Sequence, residues 1–224
     1  MKKKLLILGG GFSREREISL KTAKAVFKEI KNIYTTKISE PDGNLVATLR
    51  KFKPDFVFNA LHGRYGEDGY IQSILESEKI KYTHSGVLAS SIAIDKEISK
   101  KIFIKNNILT PKFKKFIFNK DKINKKYISR LKSSIGFPLV IKPFNEGSSV
   151  EVYICNHKNL KNNLNKLHHY KEIMIEEYIG GREIQVAIMG KRKLGAIELV
   201  PKRKFYDYQA KYNSKAKLNE SKSK

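Results

Sequence analysis

The sequence contains one cysteine, Cys155. A lone thiol excludes an internal disulfide framework and suits a reducing cytosol, so a cytoplasmic location is expected. Long apolar runs are also missing. Near the start the longest is Leu5 to Leu8, and glycines follow at once. That is too short for a signal-peptide core and far too short for a membrane span. There is no internal repeat, zinc finger, aromatic RNA-binding signature or basic zipper. Acidic residues are scarce, with 22 against 46 basic ones and a net charge of +24. Such a balance invites a nucleic-acid reading. Arginine is scarce too, at 8 residues against 38 lysines, although phosphate forks and base readers favour it. The lysines lie along the whole chain among many Ile and Asn residues. Drift of the surface towards these types explains the charge, and no specific nucleic-acid partner is expected.

What is present is a globular composition: 224 residues, 40% hydrophobic and 30% charged. That is enough for one large or two small domains with real cores. Lys4 to Leu8 reads as a buried strand. Gly9 to Gly11 make a turn, and Ser13 can cap a helix from about Arg14 to Ile30. Ile33 to Ile38 is a second strand, Leu45 to Phe52 a helix, and Asp55 to Asn59 a third strand. This βαβαβ rhythm predicts a parallel sheet with helices on its faces. A helix over about Tyr70 to Glu78 and a short strand over Lys81 to Thr83 follow.

Beyond about residue 96 the rhythm changes. Strands are predicted at Phe113 to Phe118, Leu139 to Pro143, Val150 to Ile154 and Ile173 to Glu177. Polar helices are predicted at about Ile123 to Ser133 and His157 to Lys171. Antiparallel pairing with helices on one side fits this pattern. Two further strands are read at Glu183 to Met189 and Leu194 to Pro201, followed by a polar aromatic loop. The last twelve residues, from Asn213, are too polar to bury anything useful and read as a disordered tail.

Five segments could carry chemistry. In Gly9 to Leu20 (G-G-G-F-S-R-E-R-E-I-S-L), glycines between a strand and a helix can bring backbone N–H groups to an anion. Glu15 there either complements the helix dipole or binds a substrate ammonium. Ala60 to Gly69 (A-L-H-G-R-Y-G-E-D-G) follows the third strand, where open α/β sheets place ligands. His62 is either structural or part of a ligand loop, and three glycines within seven residues favour the loop. No second His or Cys stands at metal-ligand spacing from it, which argues against zinc. In Pro138 to Val150, Lys142 ends an apolar strand, where its charge needs a partner such as a phosphate. Gly147, Ser148 and Ser149 then make a donor-rich loop without the Walker order. Lys96 after Asp95 is a second candidate phosphate lysine. In Ile175 to Ile179, Glu176 either accepts from a nucleotide or lies on a solvated strand edge, with Glu183 just beyond. Phe205 to Tyr212 (F-Y-D-Y-Q-A-K-Y) packs three tyrosines and a lysine into eight residues.

Together these blocks resemble the D-alanine–D-alanine ligase family of the ATP-grasp superfamily. They occur in the family's order: G-G-x-S-x-E-R-E-[IV]-S-L at Gly10 to Leu20, A-L-H-G-x-x-G-E-D-G at Ala60 to Gly69, S-G-V-x-A-S near Ser85 with Asp95 and Lys96, V-I-K-P-x-x-E-G-S-S-V at Val140 to Val150, and F-Y-D-Y-x-A-K-Y at Phe205 to Tyr212. The resemblance implies an α/β chain with a Rossmann-like parallel-sheet domain over 1–95 and an α+β ATP-grasp domain. The latter would comprise a central part over 96–180 and the start of a C-terminal part over 181–212. The 213–224 tail would follow, leaving the third domain incomplete.

The implied reaction joins two D-alanines with ATP and Mg2+ through an acyl phosphate, for peptidoglycan precursors. By matching motif, Glu15 would hold the ammonium of the first D-alanine in a set with Ser148 and Tyr212. His62 would lie near that substrate. Lys96 and Lys142 would hold ATP phosphates, Lys211 the transferring phosphate, and Glu176 and Glu183 the adenine and ribose. Such transfer needs positive groups on developing negative charge and closure against water. The sequence departs from the family pattern at His84 and Glu151, where glycine is usual. It also stops where family members continue, before the stretch that would carry an arginine and the Mg2+ ligands. Two other readings are a different ATP-grasp carboxylate–amine ligase and a non-catalytic nucleotide- or amino-acid-binding remnant. Small-molecule partners are expected, with no membrane, and a homodimer is left open.

Overall fold

The computed structural model describes residues 2–118, 121–147 and 149–200. They form two compact units, one of 2–108 with 145–147 and the other of 109–144 with 149–200.

The first unit is a parallel sheet of four strands in the order β2–β1–β3–β4. These are β1 (Lys4–Leu8), β2 (Thr35–Ser39), β3 (Phe56–Asn59) and β4 (Lys81–Tyr82). Leu6, Ile7 and Leu8 are fully buried. Each such side chain contributes roughly 1.5–3 kcal/mol, which makes β1 the spine of the sheet. One face packs Leu5 and Ile7 against α1 (Arg16–Ile30) through Ala23, Val26 and Phe27. The other packs Leu6, Leu8 and Val57 against Leu45 and Leu49 of α2 (Leu45–Phe52) and Ile71 and Leu75 of α3 (Tyr70–Ser77). The apolar residues of β1 alternate between two helical layers, as the βαβ rhythm predicts. The parallel registers of β1 with β2 and β3, and of β3 with β4, bear this out.

Two helices follow that the sequence reading leaves unassigned, α4 (Val87–Ile94) and α5 (Lys96–Lys105). The Asp95 carboxylate caps α5, accepting from the N–H groups of Glu97 at 2.9 Å and Ile98 at 3.0 Å. The α5 helix belongs to the first unit, whereas the sequence-based division opens a new domain at 96. The α1 helix starts two residues later than expected. Ser13 does cap, but it caps a turn: its hydroxyl accepts from the Glu15 N–H at 3.1 Å, and its carbonyl accepts from the Arg16 N–H. Glu15 then becomes the N-cap residue of the helix.

The second unit has an antiparallel sheet in the order β5–β8–β6–β7. Its strands are β5 (Phe113–Ile117), β6 (Leu139–Pro143), β7 (Tyr153–Cys155) and β8 (Glu172–Glu177). Helices α6 (Lys125–Ser134) and α7 (Leu160–Lys166) lie on one face. There Leu131, Leu160 and Leu164 meet Leu139, Ile141, Ile173 and Ile175. Antiparallel pairing with helices on one side is what the sequence predicts. The α7 helix is much shorter than its expected span. The Asn156 side chain accepts from the N–H groups of Lys158 and Asn159, closing a turn in place of the predicted first helical residues. The β7 strand starts late because 149–151 form a turn, with Ser149 and Glu151 at positive φ. Strands β9 (Glu183–Met189) and β10 (Arg192–Leu199) pair with each other as a separate antiparallel hairpin.

Candidate functional site

In the first unit, the loops after β1 and β3 are stitched by one hydroxyl. Ser19 accepts the Gly10 N–H at 2.8 Å and donates to the Ala60 carbonyl at 2.7 Å. A serine on the buried face of α1 therefore ties both strand ends to one helix. Gly9 allows the close approach, since a Cβ there would lie 2.5 Å from Ala23 Cβ.

The loop from Ala60 to Gly69 is held from inside. The Gly66 carbonyl accepts from Asn59 Nδ2 at 2.8 Å and from Gln72 Nε2 at 2.9 Å. Asp68 accepts from the N–H groups of Tyr65 and Tyr70, which fixes the entry to α3. Asn59 and Gln72 are almost fully buried and were not anticipated from sequence. The available signal was an Asn closing an apolar strand, where an amide persists only if it is bonded.

Glu15 is 4% exposed at the N-cap of α1, where its carboxylate complements the helix dipole from a buried position. Its carboxylate lies against two glycines. A Cβ on Gly63 would come within 3.3 Å of Glu15 Oε2, and one on Gly147 within 3.6 Å. Glu15, the His62 loop and Gly147 are thus brought together within this unit. Lys96, the first residue of α5, donates from Nζ to the Glu146 carbonyl in the same segment.

His62 contacts Glu67 (Nδ1 to Oε1, 3.7 Å) and Thr22 (Nε2 to Oγ1, 3.4 Å). The Glu67 carboxylate raises the affinity of the ring for its proton, against the opposing effect of burial, with a further contribution from Glu15. Burial works against ionisation of Glu67, but His62 and the Gly63 N–H at 2.9 Å outweigh it and hold the carboxyl below its usual range. His62, Glu67, Gln72, Asn59, Thr22 and His84 contribute to the wall of a cavity of about 320 Å³. His84 stands at φ +76°, and its Nε2 is 2.7 Å from the Asn59 carbonyl oxygen.

The second unit places Lys142 and Glu176 on the sheet face opposite its helices. In the β6–β8 register Lys142 faces Met174 and Val140 faces Glu176. Lys142 donates from Nζ to Glu176 Oε1. The charge at the strand end therefore has a carboxylate partner inside the chain, where the sequence reading supplied a phosphate. Glu176 is buried, which excludes the solvated-edge alternative. On the same face Lys115 pairs with Glu172 at 3.0 Å, and its Nζ lies 5.1 Å from the Phe144 ring centroid. Glu183 is exposed on β9 opposite Leu199, in a different sheet from Glu176. Ser148, Lys211, Tyr212 and the 213–224 tail lie outside the described residues.

Among the described residues no three His, Cys, Asp or Glu side chains are grouped to hold a metal ion. No helix among them is long and apolar enough to cross a membrane.

Comparison with known proteins agrees along the length of the chain. A family model described as D-ala D-ala ligase N-terminus matches residues 38–85, and one described as D-ala D-ala ligase C-terminus matches 102–223. The chain is 65% identical over 218 residues to the D-alanine–D-alanine ligase of Pelagibacter ubique, covering 97% of this chain and 71% of that one. It is 46% identical over 213 residues to the ligase of Wolbachia pipientis, covering 93% and 65%. The crystal structure of the Bacillus anthracis ligase superposes with a TM-score of 0.78 at 33% identity, covering 97% of this chain and 69% of that one. The ATP complex of the same enzyme gives 0.75 at 31% identity, covering 93% and 68%. The chain spans about two thirds of the length of these relatives.

Proposed function

Because the chain belongs to the D-alanine–D-alanine ligase family, we propose that it carries the amino-acid and nucleotide sites of an ATP-dependent ligase that makes D-alanyl-D-alanine. The observation that carries this reading is the buried Glu15 carboxylate set against the backbone of Gly63 and Gly147. A buried carboxylate in a space kept open by two glycines suits a compact ammonium. A side chain at Gly63, whose Cβ would come within 3.3 Å of Glu15 Oε2, would crowd that space.

In this reading Glu15 holds the ammonium of the first D-alanine, and the His62 loop lies at its carboxylate. Lys96 and Lys142 neutralise phosphate, and Glu176 accepts from the adenine amino group. Glu183, Ser148, Lys211 and Tyr212 keep the roles that the motifs imply. ATP supplies the phosphoryl group that turns the first carboxylate into an acyl phosphate, which the amine of the second D-alanine then attacks. Lys142 would exchange part of its bond with Glu176 for a phosphate oxygen, so the pair orients both side chains before nucleotide arrives. Mg2+ would help to neutralise the phosphates when bound, and among the described residues no three His, Cys, Asp or Glu side chains are grouped to hold it. The product would serve peptidoglycan precursor synthesis in the cytoplasm, with a homodimer as the assembly to be checked by sedimentation.

The test is dipeptide formation from ATP with a panel of amino and hydroxy acids, read by mass spectrometry. D-alanine binding that weakens with Glu15→Gln, with any D-alanyl-D-alanine lost in that variant, is the expected result. Products from other acids alone, or dipeptide formation indifferent to Glu15→Gln, would overturn the assignment. Removing one charge-assisted bond to the ammonium should weaken D-alanine by about 1.5–3 kcal/mol.

A further inference from the structure

We propose that Glu151 is a positioning residue: its bond with Tyr170 latches the turn over 149–151, and this latch, not the Glu151 charge, sets how tightly the chain holds the phosphates of a nucleotide. The nucleotide half of the statement rests on the ligase reading; the latch does not.

The Glu151 carboxylate is turned into the second unit. Its Oε2 accepts from the Tyr170 hydroxyl, 19 residues further along, and lies 3.4 Å from His169 Nε2. The side chain is 21% exposed, so the bond is partly shielded from water. Tyr170 is a firm anchor. Its N–H donates to the Leu167 carbonyl at 3.0 Å, and its ring packs against the core that holds Leu160, Leu164 and Leu167. The His169 ring lies 4.3 Å from it, centroid to centroid. A bond made to a side chain set against the core transmits the position of that core to the turn.

The turn needs such a hold. Ser149 and Glu151 stand at φ +61° and +53°, with Val150 between them on the ordinary side, and left-handed backbone is unfavourable for a residue with a side chain. Alternation in the sign of φ aims neighbouring N–H groups to one side, the concave arrangement that receives anions. The β6–β7 register puts Ile141 opposite Tyr153, so the turn opens into β7 beside the end of β6, where Lys142 stands. An ionised carboxylate can only accept, so Glu151 offers a phosphate no bond of its own. Held by Tyr170, it acts through the shape of the turn.

The experiment titrates the full chain with a non-hydrolysable ATP analogue and, separately, with adenosine, which lacks the phosphates. Tyr170→Phe keeps the ring packing and removes the hydroxyl. It should weaken the analogue about three- to tenfold, the loss of one hydrogen bond, and leave adenosine within about twofold. Glu151→Gln keeps an oxygen for Tyr170 and should bind the analogue as the parent does. Glu151→Gly should match Tyr170→Phe, and the double variant should be no weaker than either. Analogue affinity unmoved by Tyr170→Phe overturns the proposal. So does a Glu151→Gln chain that binds the analogue more tightly than the parent, or as weakly as Tyr170→Phe, because the charge would then be the cause. A parallel loss for adenosine marks a merely structural role and overturns it too. Urea unfolding reads the latch without any ligand. Tyr170→Phe should raise the unfolding constant about three- to tenfold in the parent and leave it unchanged in the Glu151→Gly background. Absence of that coupling overturns the latch. If the parent binds no analogue while the coupling persists, the ligase reading has failed, and the nucleotide half falls with it.

Discussion

Three glycine-to-alanine substitutions separate steric from conformational constraint, and Gly66 is the one that matters for the site. An alanine Cβ at Gly66 would lie 2.4 Å from Leu61 Cβ, 3.1 Å from the Leu61 carbonyl carbon and 3.3 Å from the His62 nitrogen. Carbon atoms pack best at about 3.5–4.0 Å, so the first contact overlaps by more than about 1 Å. Two of the three neighbours are backbone and cannot swing away. Overpacking of this kind costs about 1–3 kcal/mol. Movement of Gly66 also strains the bonds its carbonyl receives from Asn59 and Gln72, each worth about 1 kcal/mol. The expected loss is roughly 2–4 kcal/mol. At Gly43 a Cβ would meet nothing within 4 Å and φ is ordinary. Alanine there should be neutral or stabilise by about 0.4–1 kcal/mol through the unfolded chain. At Gly136, in the second unit, the space is equally open but φ is +91°. Alanine there should cost about 1–2 kcal/mol from backbone conformation alone.

Equilibrium urea unfolding read by circular dichroism gives the three values, with Gly43→Ala as the reference within the first unit. The His62 ring signal should shift in Gly66→Ala and stay in place in the other two. The reasoning fails if Gly66→Ala lies within about 0.5 kcal/mol of the parent. It also fails if Gly43→Ala costs as much as Gly66→Ala.

Lys142→Met should weaken nucleotide binding by about 1.5–3 kcal/mol through the lost phosphate contact. It should also destabilise the second unit, since Glu176 would keep a buried charge without this lysine; titration of an ATP analogue and urea unfolding read the two effects separately. The His62–Glu67 pair should give a stability difference that depends on pH. The contribution of His62, whose proton affinity is raised from 6.5, is complete below that value and is lost as pH rises through its folded pKa. The contribution of Glu67, lowered from 4.5, is complete above that value and is lost as pH falls through its folded pKa. The gap in unfolding midpoint between parent and Glu67→Gln should therefore be widest between those two values and narrow on either side; a gap independent of pH would refute the coupling. Duplex DNA binding, if measured, should be insensitive to sequence and fall steeply between about 50 and 200 mM salt, and sequence-selective binding that survives the higher salt would contradict the surface-drift reading of the +24 charge.

The parts of the fold that sequence discloses are those where burial imposes a period. Leu5 to Leu8 is buried throughout and packs its alternate residues into two cores, so it reads as a central strand from its composition alone. The α4 helix does not show a stripe. Val87–Ile94 is small and apolar almost all round, so no face marks it as amphipathic, and its end is marked by the same Asp95 that caps α5. The glycines of the His62 loop are legible for a similar reason, since close backbone approach leaves little choice of residue. Gln72 and Thr22 are not. A polar residue on a helix faces solvent by default, and only the packing of α1 and α3 against the loop turns these two groups inward. The partner of Lys142 was hidden for the same reason, since the antiparallel register of β6 and β8 brings Glu176 to it from 34 residues away.

His84 and Glu151 show how such tertiary partners permit a departure from pattern. Both stand where the family resemblance expects glycine, and both adopt left-handed backbone, at φ +76° and +53°. A side chain there costs on the order of 1 kcal/mol. Each has a bond that glycine could not make: the His84 ring meets the Asn59 carbonyl, while the Glu151 carboxylate accepts from the Tyr170 hydroxyl with His169 Nε2 at 3.4 Å. Each bond offsets a cost of that size. Both positions thus hold a backbone conformation that favours glycine while carrying another residue. His84→Gly and Glu151→Gly should each lose the bond and relieve the strain together. Their stability should stay within about 1 kcal/mol of the parent. His84→Val would keep the strain without the bond and should cost more than either, and urea unfolding that ranks His84→Val equal to His84→Gly would show that the backbone at 84 is not under the constraint its φ implies.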